Sequence, residues 1–247
     1  MTLEVKDFFL KEGGLSISVR RIFLPRQKVV LILPGFFQSK DTRIFKSLQR
    51  NLSKFFDVFC VDMPGHGKSR GFFTFGAKQE ELAFILVLNH LRRLYPRIGI
   101  LAFSLSALVA INCLAQDQEG VSSLALVSSP SSFSKVEFRF YTLGALRLAL
   151  RSLDLNLGVL LGFPFLKKGV PLENIKKINN IPILFLQGGL DPIIDKEHTF
   201  KLAQVYKGKK KVYIFPQGSH AEDLYRSYPQ QFLSQLVEWF KETLDSE

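Results

Sequence analysis

The sequence predicts an α/β protein: a doubly wound, mostly parallel sheet with helices on both faces and a helical cap inserted at one end. Three observations carry this. Apolar, β-branched runs such as Lys28–Leu33 and Ile98–Phe103 have the composition of strands buried on both faces. Such runs alternate with helix-like stretches, the rhythm of strand–helix–strand units around a parallel sheet. The alternation stops after Pro130 and resumes at Ile181, as it would around an insertion.

The elements follow in order. Leu3–Leu10 and Leu15–Leu24 flank Glu12-Gly13-Gly14, a hairpin signal. Lys28–Leu33 suits a central strand. Asp41–Phe55 reads as a helix with Asp41 as N-cap, and Asp57–Val61 as the next strand. Ala77–Tyr95 is helical and is stopped by Pro96. Ile98–Phe103 is a strand, Leu105–Gln116 a helix and Val121–Ser128 a strand. After the insertion come strand Ile181–Gln187, helix Lys196–Tyr206, strand Lys211–Phe215 and helix Leu224–Leu244. The whole chain, 1–247, reads as a single domain with its cap at about residues 131–180.

Composition narrows the class. At 47% hydrophobic and 22% charged residues the chain is an ordinary globular one, rich in phenylalanine (24). Cys60 and Cys113 lie in apolar segments and read as buried free thiols of a reducing compartment. No Cys/His spacing suits a metal, and no cofactor is implied. Charges at the N-terminus, Met1-Thr-Leu-Glu-Val-Lys-Asp, break the apolar stretch a signal peptide needs, so a cytoplasmic protein is expected. Ile98–Gln116 is charge-free and nearly long enough to span a bilayer, yet a buried strand followed by a buried helix accounts for it equally. The net charge of +11 attracts anions in general, but no nucleic-acid module accompanies it, so no nucleic-acid partner is expected.

The chemistry lies at the strand ends, where sites of such sheets gather. Ser104 follows Ile98–Phe103 and opens a run of small helix-forming residues, the setting of a nucleophile on a sharp strand-to-helix turn. Asp191 follows a strand and the Gly188-Gly189 turn; His220 follows a strand and the loop Pro216-Gln-Gly-Ser219. A neutral serine needs an imidazole to take its proton, and the imidazole needs a carboxylate to fix its tautomer. Backbone N–H groups must then meet the developing oxyanion. Leu105 supplies one by position; Phe36, in the loop Pro34-Gly35-Phe36-Phe37 after Lys28–Leu33, is chosen for the second. Ser106 competes as nucleophile but would put the turn inside the helix. Asp195 is the fallback acid and more naturally caps the following helix. His66 in Pro64-Gly-His-Gly67 reads as a structural turn residue, and His90 and His198 as surface groups.

At these residues the chain resembles the α/β-hydrolase family. Leu31-Ile-Leu-Pro-Gly-Phe-Phe-Gln-Ser39 looks like its oxyanion loop, and Asp62-Met-Pro-Gly-His-Gly-Lys-Ser69 like its Asp-x-x-Gly-x-Gly-x-Ser turn. Leu184–Pro192 looks like its acid-bearing loop and Gly218-Ser-His220 like its histidine loop. The layout is most similar to serine esterases and monoacylglycerol lipases. The resemblance implies a hydrolase that cleaves carboxylic esters with an apolar acyl group through an acyl-enzyme, with Ser104, Asp191 and His220 catalytic. Three departures mark a divergent member: the Gly-x-Ser-x-Gly elbow is Ala102-Phe-Ser104-Leu-Ser106, Pro34 replaces the usual histidine, and Phe103 replaces a polar residue.

The insertion bears on substrate. Between Phe133 and Lys177 eight basic residues face three acidic ones, and Leu143, Leu146, Leu150, Leu153 and Leu157 recur at helical spacing beside Arg147 and Arg151. A cap helix walling an acyl pocket follows, and its basic face offers weak contact with an anionic membrane surface. A lid packed on its own core with a solvated basic face is the simpler reading of the same residues. Leu155–Leu166 suits a mobile lid segment. The expected partner is a small ester or lipid-like molecule. A thioesterase or acyltransferase would use the same residues, and a non-catalytic scaffold could keep the fold.

Overall fold

The computed structural model describes residues 4–24, 26–133 and 158–245. Strands β1 (Glu4–Glu12) and β2 (Leu15–Phe23) form a hairpin whose two turn residues, Gly13 and Gly14, both have positive φ (53° and 83°), as a two-residue hairpin turn requires. There follow β3 (Lys28–Leu33), α1 (Arg43–Leu52), β4 (Asp57–Val61), α2 (Lys78–Arg92), β5 (Arg97–Phe103), α3 (Leu105–Leu114) and β6 (Val121–Val127). After the insertion come α4 (Pro171–Asn174), a 3-10 turn (Ile175–Lys177), β7 (Ile183–Gly188), α5 (Lys196–Val205), β8 (Lys210–Phe215), α6 (Glu222–Ser227) and α7 (Pro229–Asp245).

The eight strands form one sheet in the order β1-β2-β4-β3-β5-β6-β7-β8. β2 pairs antiparallel with both its neighbours, and all other pairs from β4 to β8 are parallel. The parallel strands are apolar throughout because both faces are covered. On one face Leu31, Ile100, Leu124 and Phe185 pack with α2, α3 and α5; on the other Ile32, Leu101, Ala125 and Leu184 pack with α1, α6 and α7. β5 sits in the middle, so the residue that follows it emerges at the centre of the sheet's carboxyl edge.

Three expectations need correction. Helix α1 starts at Arg43 with Thr42 at its N-cap. Asp41 is drawn instead into ion pairs with Arg20 (2.9 Å) and Lys40 (3.0 Å). The predicted helix 224–244 is two helices: Tyr228, which precedes Pro229, leaves the helical region (φ −131°, ψ 53°), and Pro229 opens α7, because a proline disfavours helical geometry in the residue before it. His90 is half-buried against Phe8 and Phe59, and His198 is 8% exposed and accepts the Ser131 N–H at 3.0 Å, so neither is a surface group.

Of the cap, residues 134–157 lie outside the described residues, and with them the leucine stripe from Leu143 to Leu157 and its arginines. The described remainder is tied to the body. Leu160 N–H donates to Gly65 O, Phe73 N–H to Leu160 O and Gly162 N–H to Phe73 O, each at 2.8 Å. Residues 158–166, read above as part of a mobile lid, are therefore bonded to the loops beside β4. Among the described residues no helix is long and apolar enough to cross a membrane; Ile98–Gln116 resolves into β5 and α3.

Lys40 is fully buried, and its Nζ lies 3.0 Å from the equally buried Asp62, which also accepts the N–H groups of Lys40 (2.8 Å) and Lys68 (2.9 Å). Burial lowers the Lys40 pKa, but Asp62 and Asp41 more than offset it and the ammonium is held above its usual value. Removing one partner of such a pair strands a buried charge. Lys40→Met is therefore expected to lower stability in urea unfolding by about 3–5 kcal/mol, and adding Asp62→Asn to recover much of it. A loss under about 1 kcal/mol in the single variant would show that solvent reaches the pair.

Candidate active site

Ser104 is the single residue between β5 and α3, with φ 52° and ψ −120°. This backbone region is costly for a residue with a side chain, by about 1–3 kcal/mol, and it is held by bonds on both sides. Ser104 N–H donates to Val127 O (2.8 Å), and Ala107 N–H to Ser104 O (3.0 Å). The sharp turn lifts the hydroxyl off the sheet and directs the N-terminus of α3, with Leu105 N–H at its first position, toward the same side.

The structure brings the three residues chosen from sequence into one hydrogen-bond series. Ser104 Oγ lies 2.9 Å from His220 Nε2, and His220 Nδ1 lies 2.8 Å from Asp191 Oδ2. The Asp191 carboxylate only accepts, so Nδ1 carries the proton and Nε2 is left to receive the serine hydroxyl. Asp191 Oδ1 accepts the N–H groups of Ile193 (2.9 Å) and Ile194 (2.8 Å), which fixes the carboxylate plane. The fallback acid Asp195 caps α5 by accepting Glu197 N–H at 3.0 Å. Ser106 donates to Pro34 O at 2.5 Å, which ties α3 to the loop after β3.

The loops that carry these groups touch directly. A methyl at Gly188 would come within 2.0 Å of Ser219 O, so the absence of a side chain there lets the histidine loop lie against the end of β7. Ala221, at φ 45°, donates its N–H to Ser128 Oγ (3.0 Å), which locks the backbone just after His220 onto the loop after β6. The loop after β3, chosen above for the oxyanion, is a turn closed by Gln38 N–H to Gly35 O (3.2 Å), with Phe37 at φ 61°. Gly35 packs on Ser104: a Cβ added there would stand 3.4 Å from Ser104 Cβ.

Sequence reasoning assigned His66 a turn role and passed over Gln38 and Glu222. His66 accepts Phe37 N–H at Nε2 (3.2 Å) and lies 3.1 Å from Pro64 O through Nδ1, so the proton sits on Nδ1 and the ring braces the oxyanion loop. Gln38 donates from Nε2 to Glu222 Oε1 at 2.8 Å. The only local hint of Glu222 is an acid placed just after the loop histidine. Beside the loop stands a row of rings: Phe36 stacks on Phe37 (3.9 Å) and Phe73 (4.7 Å), Phe73 meets Phe75 (5.0 Å), and Phe75 meets Phe133 (6.3 Å).

Burial acts on both imidazoles, with opposite results. It lowers the His66 pKa, and the Pro64 carbonyl and distant Asp62 do not reverse this. It also lowers that of His220, but Asp191, with smaller help from Glu222 and Asp223, more than reverses it, and the His220 pKa stands above the usual imidazole value.

A family model described as alpha/beta hydrolase fold matches residues 28–148. Among curated proteins the chain is similar to the uncharacterized protein YfhR of Escherichia coli (strain K12), 22% identical over 193 residues; the match takes in 77% of this chain and 62% of YfhR. The chain thus spans less than two thirds of the length of that relative. Solved structures of the same fold include the Pyrococcus furiosus esterase Pf2001, with TM-score 0.79 and 20% identity over 98% of this chain and 91% of that one. The esterase EaEST from Exiguobacterium antarcticum matches with TM-score 0.73 and 16% identity, over 94% and 98% of the two chains.

The opposed shifts give a direct test. In a nitrogen-15 NMR titration His220 is expected to protonate above about pH 6.5 and His66 below it, with His66 in its Nδ1–H form at neutral pH. The reverse order would show that the two environments are misassigned.

Proposed function

The chain is an α/β-hydrolase-fold protein, and on that premise we propose that it is a serine hydrolase cleaving carboxylic esters with an apolar acyl group. The observation that carries the reading is the unbroken series Ser104 Oγ, His220 Nε2, His220 Nδ1, Asp191 Oδ2, with links of 2.9 and 2.8 Å. In this scheme Ser104 Oγ attacks the ester carbonyl carbon as its proton passes to His220 Nε2. Asp191 holds the resulting imidazolium. The carbonyl oxygen, now an anion, is met by the N–H groups of Phe36 and Leu105. Collapse expels the alcohol, which takes the proton from His220, and leaves an acyl-serine. Water, deprotonated by His220, then attacks that ester, and Ser104 leaves with the proton as the acid is released. Every proton is carried by His220, so the scheme uses no cofactor.

The row Phe36, Phe37, Phe73, Phe75 and Phe133 supports an apolar acyl group, since it lies beside the loop that would hold the carbonyl oxygen. A thioester or an alcohol acceptor would be handled by the same atoms. The assay therefore includes thioester substrates and added alcohols.

The test is labelling by a fluorophosphonate probe together with hydrolysis of a straight-chain ester series. Wild type is expected to label, and Ser104→Ala and His220→Ala to lose labelling. The value of kcat/KM is expected to rise by up to about fourfold per methylene while the chain remains buried. The base works only when neutral and its pKa is raised, so kcat/KM is expected to climb with pH and reach half its maximum above about pH 6.5. A folded wild type that neither labels nor hydrolyses would leave the scaffold reading; labelling that survives Ser104→Ala would move the nucleophile elsewhere.

A further inference from the structure

The scheme above leaves two buried polar side chains beside the reacting groups unused. Glu222 is 7% exposed and follows the base by two residues; Gln38 is 2% exposed and closes the turn that presents Phe36. They meet at 2.8 Å, Gln38 Nε2–H donating to Glu222 Oε1. Burying a carboxyl and an amide is costly unless each is bonded, and apolar residues of the same size would fill the space without that cost. The pair therefore calls for an explanation other than stability.

The explanation is in what the two loops must do. Among the described residues, three side chains brace the oxyanion loop directly: Ser106 holds Pro34 O, His66 holds Phe37 N–H, and Glu222 holds the Gln38 side chain. The first two tie it to α3 and to the turn 62–69. The third ties it to the first residue of α6, just after the loop that carries the base. Proton transfer and oxyanion stabilisation occur in the same transition state, so the separation of His220 from Phe36 N–H has to be fixed to a fraction of an ångström.

We infer that Glu222 is a positioning residue for ester cleavage: through its bond to Gln38 it sets the oxyanion loop against the base, which it follows by two residues. The inference rests on the acyl-enzyme reading and deepens it. Burial pushes the Glu222 carboxyl up to about 7; His220 and Arg226 act against this and Asp223 adds to it. His220 in turn faces Asp191, Glu222 and Asp223. Glu222 and His220 thus titrate as a coupled pair, so the acid limb of the rate profile belongs to both.

The experiment measures kcat and KM for a soluble p-nitrophenyl ester from about pH 5 to about pH 9, with active sites counted by fluorophosphonate labelling. In Glu222→Gln the new amide oxygen still accepts from Gln38 but the charge is gone. Removing a nearby anion lowers the His220 pKa, so the acid limb is expected to move to lower pH, with plateau kcat falling less than about threefold. Gln38→Leu removes the tie and keeps the charge: kcat is expected to fall about tenfold with KM unchanged and the limb in place, short of the 100-fold or more for losing an oxyanion donor. Glu222→Leu is expected to do both. An acid limb in Glu222→Gln that superimposes on wild type overturns the inference, as does wild-type kcat in Gln38→Leu. Should Gln38→Leu fail to fold by circular dichroism, Gln38→Met replaces it, and the Glu222→Gln limb decides independently. A wild type that neither labels nor turns over removes the acyl-enzyme reading and this inference with it. A labelled, active wild type with unmoved variants removes this inference alone.

Discussion

The backbone of Ser104, at φ 52° and ψ −120°, is the constraint on which the site depends. A hydroxyl carried in ordinary strand or helix geometry would lie in the sheet plane or on a helix face, out of reach of a base on a neighbouring loop. The strained turn solves this at a cost of about 1–3 kcal/mol, and the surrounding sheet supplies the compensation. β5 is paired on both sides, and both the amide and the carbonyl of Ser104 are bonded. Strain also recurs close by: Phe37, Ser128 and Ala221 are non-glycine residues at positive φ, and each sits on a loop that touches the Ser104–His220 pair. They are held by cross-bonds between loops, His66 to Phe37 and Ser128 to Ala221, so the rim is over-determined in the way a preorganised site requires.

Electrostatics reinforces the same rim from below. The Lys40–Asp62 pair lies immediately after the oxyanion loop and anchors both that loop and the turn 62–69 from which His66 reaches back. Asp41 extends the cluster to Arg20 on β2, and its carboxyl is held down to about 2: burial works against this, and Lys40 and Arg20 outweigh it. The loop that would carry the Phe36 N–H is thus fixed at one end by the ionic contacts of Lys40. The His66 pKa is shifted downward by burial, and protonating Nε2 would destroy the acceptor for Phe37 N–H. Two buried imidazoles on one rim therefore behave differently chiefly because His220 has a carboxylate at hydrogen-bond distance and His66 a peptide carbonyl.

Strands were the most legible elements, because a strand covered on both faces has to be a continuous apolar run. β3 and β4 begin and end where the hydrophobic pattern places them. Helix ends were less legible, since side chains there have competing uses. Asp41 has the chemistry of an N-cap, but a buried ammonium and a guanidinium are stronger partners than a backbone N–H. Ser104, Asp191 and His220 stood out because each follows a strand at the same sheet edge, so their meeting needs only the topology. Gln38 and Glu222 left no such trace. They are 184 residues apart, one on a loop and one at the start of α6, and their approach depends on the packing of α1 against α6 and on close backbone contacts such as Gly188 with Ser219.

The departures from the α/β-hydrolase pattern each have their own physical account. Ser106 stands where a glycine is usual, and its hydroxyl donates to Pro34 O; Pro34 is itself a departure, at the head of the oxyanion loop. One substitution thus supplies the donor that the other's carbonyl accepts, and together they bind α3 to that loop. Phe103 replaces a polar residue and is fully buried, edge-on to Phe45 at 5.1 Å and stacked toward Phe232 at 6.2 Å. A polar side chain at that position would need a partner within a layer built from aromatic and aliphatic groups. Ala102, also fully buried, adds only a methyl to the crowded strand end. The larger changes are thus matched by their neighbours: a hydroxyl donor for the Pro34 carbonyl and an aromatic layer around Phe103.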